Sequence, residues 1–63
     1  MTPIHALGWT YYAATIYAGR RTMRITFWRP TLADARAHAQ RAADEWADSV
    51  GVTRRGVETL TAA

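Results

Sequence analysis

The residues of this chain that could do chemistry are arginines and aromatic rings gathered in its first half. Eight of the 63 residues are arginine, none is lysine and five are acidic, so the formal net charge is +3. The arginines of the first half are Arg20, Arg21, Arg24 and Arg29, and no acidic residue precedes position 34. Arginine suits bidentate contacts to phosphate or carboxylate. A GC-rich coding sequence, however, explains the same abundance of Ala and Arg.

Groups for catalysis or metal binding are sparse. The chain has no cysteine, no Gly-rich phosphate loop and a single serine, Ser49. His5 and His38 lie on different predicted elements, and a metal site needs more ligands at suitable spacing. The acidic residues at 44–48 suit a solvated helix face near Arg41, and His38 lies four residues from Asp34, which predicts a local surface pair. We therefore expect no enzymatic activity, no cofactor and no metal.

Positioning these groups requires regular elements, of which the clearest is a helix over Thr31–Val50. Thr31 can cap the first turn, Asp34 occupies the capping-box position and Gly51 supplies the stop. At about 100° per residue, one arc collects the apolar positions. These are Leu32, Ala35, Ala39, Ala42, Ala43, Trp46 and Val50. The pattern predicts a buried, mostly alanine face, with Trp46 packed in the core against Ile16, Ile25 and Phe27.

Two stretches rich in aromatic and β-branched residues, 9–18 and 21–28, predict strands joined by a tight turn at Gly19. Alternation predicts that Met23, Ile25 and Phe27 face the helix, together with Tyr12, Ala14 and Ile16. A third β-type run at 57–61 follows the helix, with Gly56 as a bulge or turn.

These elements predict an α+β fold: a single small ββαβ domain over residues 9–63, with one helix on one face of a three-stranded antiparallel sheet. Residues 1–8 read as an N-terminal arm, and the pattern leaves open which sheet edge takes the last strand. A chain of this size buries only roughly 60% of its unfolded surface, so marginal stability is expected. No membrane span or signal peptide is recognisable, and a cytoplasmic location is expected.

The sheet face opposite the helix is the predicted site. It would carry Trp9, Tyr11, Tyr17 and Trp28, with Arg20, Arg21, Arg24 and Arg29 around it. Aromatic rings interleaved with positive charge are typical of single-stranded nucleic-acid binders, and Trp, Tyr and Arg are equally enriched at protein-binding hot spots. A third alternative is that the arm or a second copy of the chain covers these rings, making a homodimer.

The layout of a hairpin, the Ala-rich helix segment 35–39 leading to Glu45 and Trp46, and a short final strand near 57–60 resembles small ββαβ accessory proteins of phages and mobile elements, anti-CRISPR proteins among them. The resemblance implies a non-enzymatic module that blocks or modulates a host protein or nucleoprotein complex. It covers most of the chain and rests on layout and pattern.

The chain also resembles the arm-type DNA-binding domains of phage integrases, which lay a small antiparallel sheet on DNA. The sheet residues that would correspond are Tyr17, Arg21, Arg24 and Thr26. Those domains complete three strands before the helix, whereas this chain has two before it and one after. This resemblance implies the alternative function, direct binding of DNA or RNA through the same hairpin.

Overall fold

The computed structural model describes residues 8–63, which form two strands, a helix and a third strand. The elements are β1 (Thr10–Ala18), β2 (Arg21–Arg29), α1 (Leu32–Val50) and β3 (Arg55–Ala62). The sheet has the order β2-β1-β3, and both pairings with β1 are antiparallel. The predicted α+β fold of the ββαβ type is confirmed. The arm expected at 1–8 lies, apart from Gly8, outside the described residues.

The hairpin of β1 and β2 turns at Gly19 and Arg20. Gly19 has φ 65°, and among the described residues only glycines have positive φ, so Arg20 does not share this conformation. Positive φ at the first central residue alone is the pattern of a type II′ turn, whose twist matches that of paired strands. The turn sets Tyr11 opposite Trp28 and Ile16 opposite Met23.

The last strand pairs with the free edge of β1, which makes β1 the central strand. β2 and β3 therefore run parallel to each other, and α1 carries the chain across the sheet between them. The bulge or turn expected at Gly56 is wrong, because the irregularity lies two residues further along the chain. Gly56 pairs with Tyr17, whereas the register shifts between Thr15 and Ile16 and leaves Glu58 as the extra residue.

Helix α1 begins and ends where local signals predict. The Thr31 hydroxyl accepts a hydrogen bond of 3.1 Å from the Asp34 backbone N–H, as an N-cap residue does. Gly51 has φ 76° and its N–H donates to the Ala47 carbonyl, which ends the helix in a left-handed residue. Within the described residues no helix combines the length and apolarity needed to cross a membrane.

The core lies between α1 and β1. It contains Tyr12, Ala14, Ile16, Phe27, Ala35, Ala39 and Ala43, with Ile25, Ala42, Trp46, Val57 and Leu60 packed around it. Trp46 thus packs against the core as expected, although it stays half-buried. Because the helix presents alanines, its axis can approach the sheet closely, and the sheet supplies the bulk.

Four positions depart from the predicted core. Leu32 and Val50 are 50% and 42% exposed, since they belong to the terminal turns of α1, which have helix neighbours on one side only. Ala47 is buried instead. Met23 has the expected register beside Ile16 but is 41% exposed. The reason is that β2 is an edge strand, in which only Phe27 is buried.

Candidate binding surface

The sheet face turned away from α1, called the open face below, is built by side-chain alternation along three strands. The pairings Tyr11–Trp28, Ala13–Thr26, Thr15–Arg24 and Tyr17–Thr22 belong to it. On the β3 side, Thr61, Thr59 and Gly56 stand beside Ala13, Thr15 and Tyr17. No described element covers this face, because the single helix packs on the other side.

Aromatic rings gather at one end of the open face. The ring centroids of Tyr11 and Trp28 lie 4.8 Å apart with planes tilted by 38°, a distance typical of a stabilising aromatic pair. Tyr11 and the neighbouring Trp9 are each 37% exposed. These large, rigid rings are the part of the face best suited to bury apolar area against a partner.

The other end of the open face is occupied by Tyr17, whose ring has partners inside the chain. A Cβ placed on Gly56 would lie 2.6 Å from the Tyr17 hydroxyl, so the ring rests directly on the glycine backbone. The Arg54 guanidinium carbon lies 4.3 Å from the ring centroid, within cation–π distance. Arg54 also donates to the Gly19 carbonyl. Tyr17 is half-buried by these contacts and offers less stacking surface than Tyr11.

Between the two aromatic ends stands Arg24, exposed and opposite Thr15. Threonines surround it: Thr15, Thr22, Thr26, Thr59 and Thr61. Neither of the two ion pairs formed within residues 8–63 includes Arg24, Arg20 or Arg21. The charge of Arg24 is therefore available to a partner.

The four arginines that the sequence places around the open face lie in different parts of the structure. Arg24 lies on the open face and Arg20 lies in the exposed turn. Arg21 and Arg29, at the two ends of β2, share the helix-facing side with Met23 and Phe27, so the expectation that they surround the open face needs this correction. The side chain of Arg29 is also engaged: Nη2 lies 2.7 Å from His38 Nδ1, and Nη1 donates to the Trp28 carbonyl.

His38 contacts Arg29 and Phe27 on the helix-facing side of β2 and does not pair with Asp34. Its ring centroid lies 4.3 Å from that of Phe27. Burial lowers the pKa of His38, and the positive charges of Arg29 and Arg41 lower it further. A neutral imidazole accepts at Nδ1 from the Arg29 guanidinium. The pairing expected on the wet helix face is wrong, because Asp34 is held at the N-cap by the Thr31 hydroxyl instead.

The carboxylates of α1 lie on the opposite side of the sheet from the open face. Asp44 and Asp48 accept contacts from Arg55 at 3.5 and 3.0 Å, and the Asp48 hydrogen bond raises the pKa of Arg55. Four of the five acids belong to α1, and Glu58, at the bulge, is the only one in the three strands. Charge is therefore segregated: the sheet is cationic and the exposed helix face is acidic.

Sequence reasoning did not assign Arg54 to the site, and of the threonines on the open face it assigned only Thr26, through the resemblance to integrase arm domains. Arg54 reaches Tyr17 only because β3 pairs beside β1, a long-range contact without a local signal. The threonines could have been found from alternation, once the third strand was placed. Among the described residues no three His, Asp or Glu side chains are grouped to hold a metal ion.

Comparison with known proteins identifies no relative: no family model, no curated protein and no solved structure matches the chain.

Proposed function

We propose that this protein is a non-enzymatic binding module of the phage or mobile-element type, which blocks or modulates a host protein complex by covering it with the open face. The proposal includes a cytoplasmic target. The observation that supports it most is a sheet face left uncovered by the helix, which carries both the exposed ring of Tyr11 and Arg24, a residue with no ion pair within residues 8–63. Aromatic rings and arginine supply most of the binding energy at protein interfaces.

Charge complementarity specifies the kind of protein surface. The strands contain a single carboxylate, Glu58, whereas Arg20, Arg21 and Arg24 form no ion pair within the described part of the chain. An acidic patch on the partner would accelerate association and set the orientation of the complex. Tyr11, Trp28 and Trp9 would bury apolar area at one end of the open face, and Arg24 would supply charge at its middle.

The test is affinity capture from host extract with three variants of the full chain. Arg24→Glu and Tyr11→Ala should lose a partner that the wild-type protein retains. Arg36→Glu is the matched control, since Arg36 is exposed on α1 and undergoes the same charge change away from the sheet. Retention of the same partner by Arg24→Glu and Tyr11→Ala would contradict the proposal.

Direct binding of nucleic acid is the second candidate, favoured by Arg20, Arg21 and Arg24, which form no ion pair within residues 8–63. Neutralising about three phosphates predicts affinity for duplex DNA that falls about 40-fold between about 50 and 200 mM salt. Titration of labelled DNA and RNA at both salt concentrations checks this. Micromolar binding with that slope, lost in Arg24→Glu but kept in Arg36→Glu, would favour nucleic acid over a protein partner.

A homodimer is a third outcome that the same material can test. The mass of the protein in solution, measured across protein concentration, shows whether a second copy covers the rings. A strict monomer leaves the open face accessible, whereas a dimer that Tyr11→Ala dissociates would place the rings in a subunit interface and refute docking on a host protein.

A further inference from the structure

The outer edge of β2 has main-chain groups that the sheet does not use. β2 is an edge strand, and residues 8–63 place no strand beyond it. The two-residue turn makes Ala18 and Arg21 a hydrogen-bonded pair, so every second residue from Arg21 onward bonds to β1. The N–H and C=O groups of Thr22, Arg24 and Thr26 therefore point outward, away from the sheet.

Two hydrogen bonds support this orientation independently. The Ala63 N–H donates to the Tyr11 carbonyl at 2.8 Å, so odd-numbered residues of β1 bond towards β3 and even-numbered ones towards β2. At the far end of β2 the Trp28 carbonyl accepts from Arg29 Nη1 at 2.6 Å. That carbonyl lies on the same outward side, where it accepts a hydrogen bond from a side chain. The stretch of outward main-chain groups available to a partner therefore ends at Thr26.

The edge of β2 also lacks most of the features that protect edge strands. It pairs with β1 over nine residues without a register shift, whereas β3 is distorted by its bulge at Glu58. β2 has no proline, and its only charged side chain between the two ends is Arg24. On the helix-facing side, Met23 is 41% exposed and Ile25 half-buried, which leaves apolar surface directly beside the open main-chain groups.

Charge decides what can occupy this edge. If a second copy paired antiparallel so that the three outward residues of each strand met, Arg24 would stand opposite Arg24 of the other copy. Like charges directly opposite destabilise a strand pair, and an opposite charge stabilises it. β2 contains three arginines and no acid. The edge is thus complementary to an acidic strand and not to itself.

We propose that the edge of β2 takes an extended, acidic segment of a partner protein as a fourth strand. Its main chain bonds to Thr22, Arg24 and Thr26, a carboxylate lies beside Arg24, and alternate apolar side chains cover Met23 and Ile25. This is strand addition, in which main-chain bonds supply affinity and alternating side chains supply specificity. It goes beyond docking on the open face, since it uses the border of the sheet and holds whether or not that face binds anything.

The experiment measures amide hydrogen exchange in the full chain with synthetic seven-residue peptides. The probe alternates valine with three aspartates. One control peptide replaces aspartate by lysine, and another carries N-methyl groups on the three aspartate amides. We expect the aspartate peptide to slow exchange at Thr22, Arg24 and Thr26, with the lysine peptide binding about fivefold more weakly. The methylated peptide should give no protection, because it lacks the donors that face the edge.

Arg24→Glu tests the charge rule, with Arg36→Glu as its matched control. Arg24→Glu should prefer the lysine peptide by about fivefold, and Arg36→Glu should keep the wild-type preference. Absence of protection at the three amides, or equal protection by aspartate and lysine peptides, would overturn the inference. Slower amide exchange confined to Thr15 and Thr59 would overturn the inference as well, because it would place the peptide flat on the open face. That result would leave the proposed function standing.

Discussion

Gly56→Ala tests the contact that holds Tyr17 on the open face. The added Cβ would lie 2.6 Å from the Tyr17 hydroxyl oxygen, 2.9 Å from Cζ and 3.2 Å from Cε2. The φ of Gly56 is not positive, so alanine is allowed by the backbone and the conflict is with the ring alone. The ring must move away from β3, and the Arg54 guanidinium 4.3 Å from its centroid loses its position.

Two opposing terms set the size of the effect. Alanine is favoured over glycine in a strand by about 0.5–1 kcal/mol. Overpacking typically costs about 1–3 kcal/mol, and loss of an exposed cation–π contact adds about 0.5–1 kcal/mol. We expect a net loss of about 1.5 kcal/mol in the free energy of unfolding, which corresponds to a fall in Tm of roughly 6–12 °C for a domain of this size.

The matched background is Tyr17→Thr, which removes the ring and places a residue with high β-propensity in β1. There Gly56→Ala should stabilise the protein by about 0.5–1 kcal/mol, because only the strand preference remains. Urea unfolding followed by tryptophan fluorescence gives all four free energies of the double-mutant cycle, with a coupling of about 2 kcal/mol. If Gly56→Ala stabilises the wild-type chain, or destabilises both backgrounds equally, the ring does not rest on Gly56 and the reasoning is wrong.

Three further predictions concern stability. Trp46→Ala should cost about 2–3 kcal/mol, less than a fully buried tryptophan because this one is half-buried, and a thermal melt unchanged by the substitution would contradict its core role. Thr31→Ala should cost about 1 kcal/mol through the lost N-cap bond, measured by urea unfolding with Thr53→Ala, an exposed threonine outside every element, as the control. The lowered pKa of His38 means that the unfolded chain binds its proton more readily. The stability that the neutral imidazole contributes is therefore complete above pH about 6.5 and declines as the pH falls through the pKa of the folded state. His38→Gln should flatten this decline, measured as urea midpoints between pH about 7 and 5. An unchanged dependence of the midpoint on pH would refute the prediction.

Local signals account for the parts of the fold that the sequence predicted. Thr31 and Gly51 bound the helix because their effects act within one turn of backbone. Gly19 similarly sets the turn, and once the turn is placed, alternation puts Tyr11, Tyr17 and Trp28 on one face. The same alternation assigns Arg21 and Arg29 to the helix-facing side of β2, which the grouping of arginines by proximity in the sequence overlooked.

The remaining features depend on contacts between distant segments. Nothing near β3 indicates that it joins β1 and not β2, and that choice leaves β2 with its open edge and brings Arg54 onto Tyr17. The bulge at Glu58 is similarly a matter of fitting two strands together. His38 changed from an expected surface pair to a partner of Arg29 because the helix returns over the end of β2.

The sequence by itself therefore determined the existence and order of the elements, the ends of the helix and the hairpin turn, since these follow from backbone preferences and from periodicity over a few residues. Only the tertiary structure decided which charges remain available. Arg29 and Arg55 are engaged by His38 and by two carboxylates of α1, whereas Arg24 has no ion-pair partner among the described residues. Ion pairing depends on distances of a few ångströms between residues far apart in the chain, and these distances exist only once the sheet is assembled.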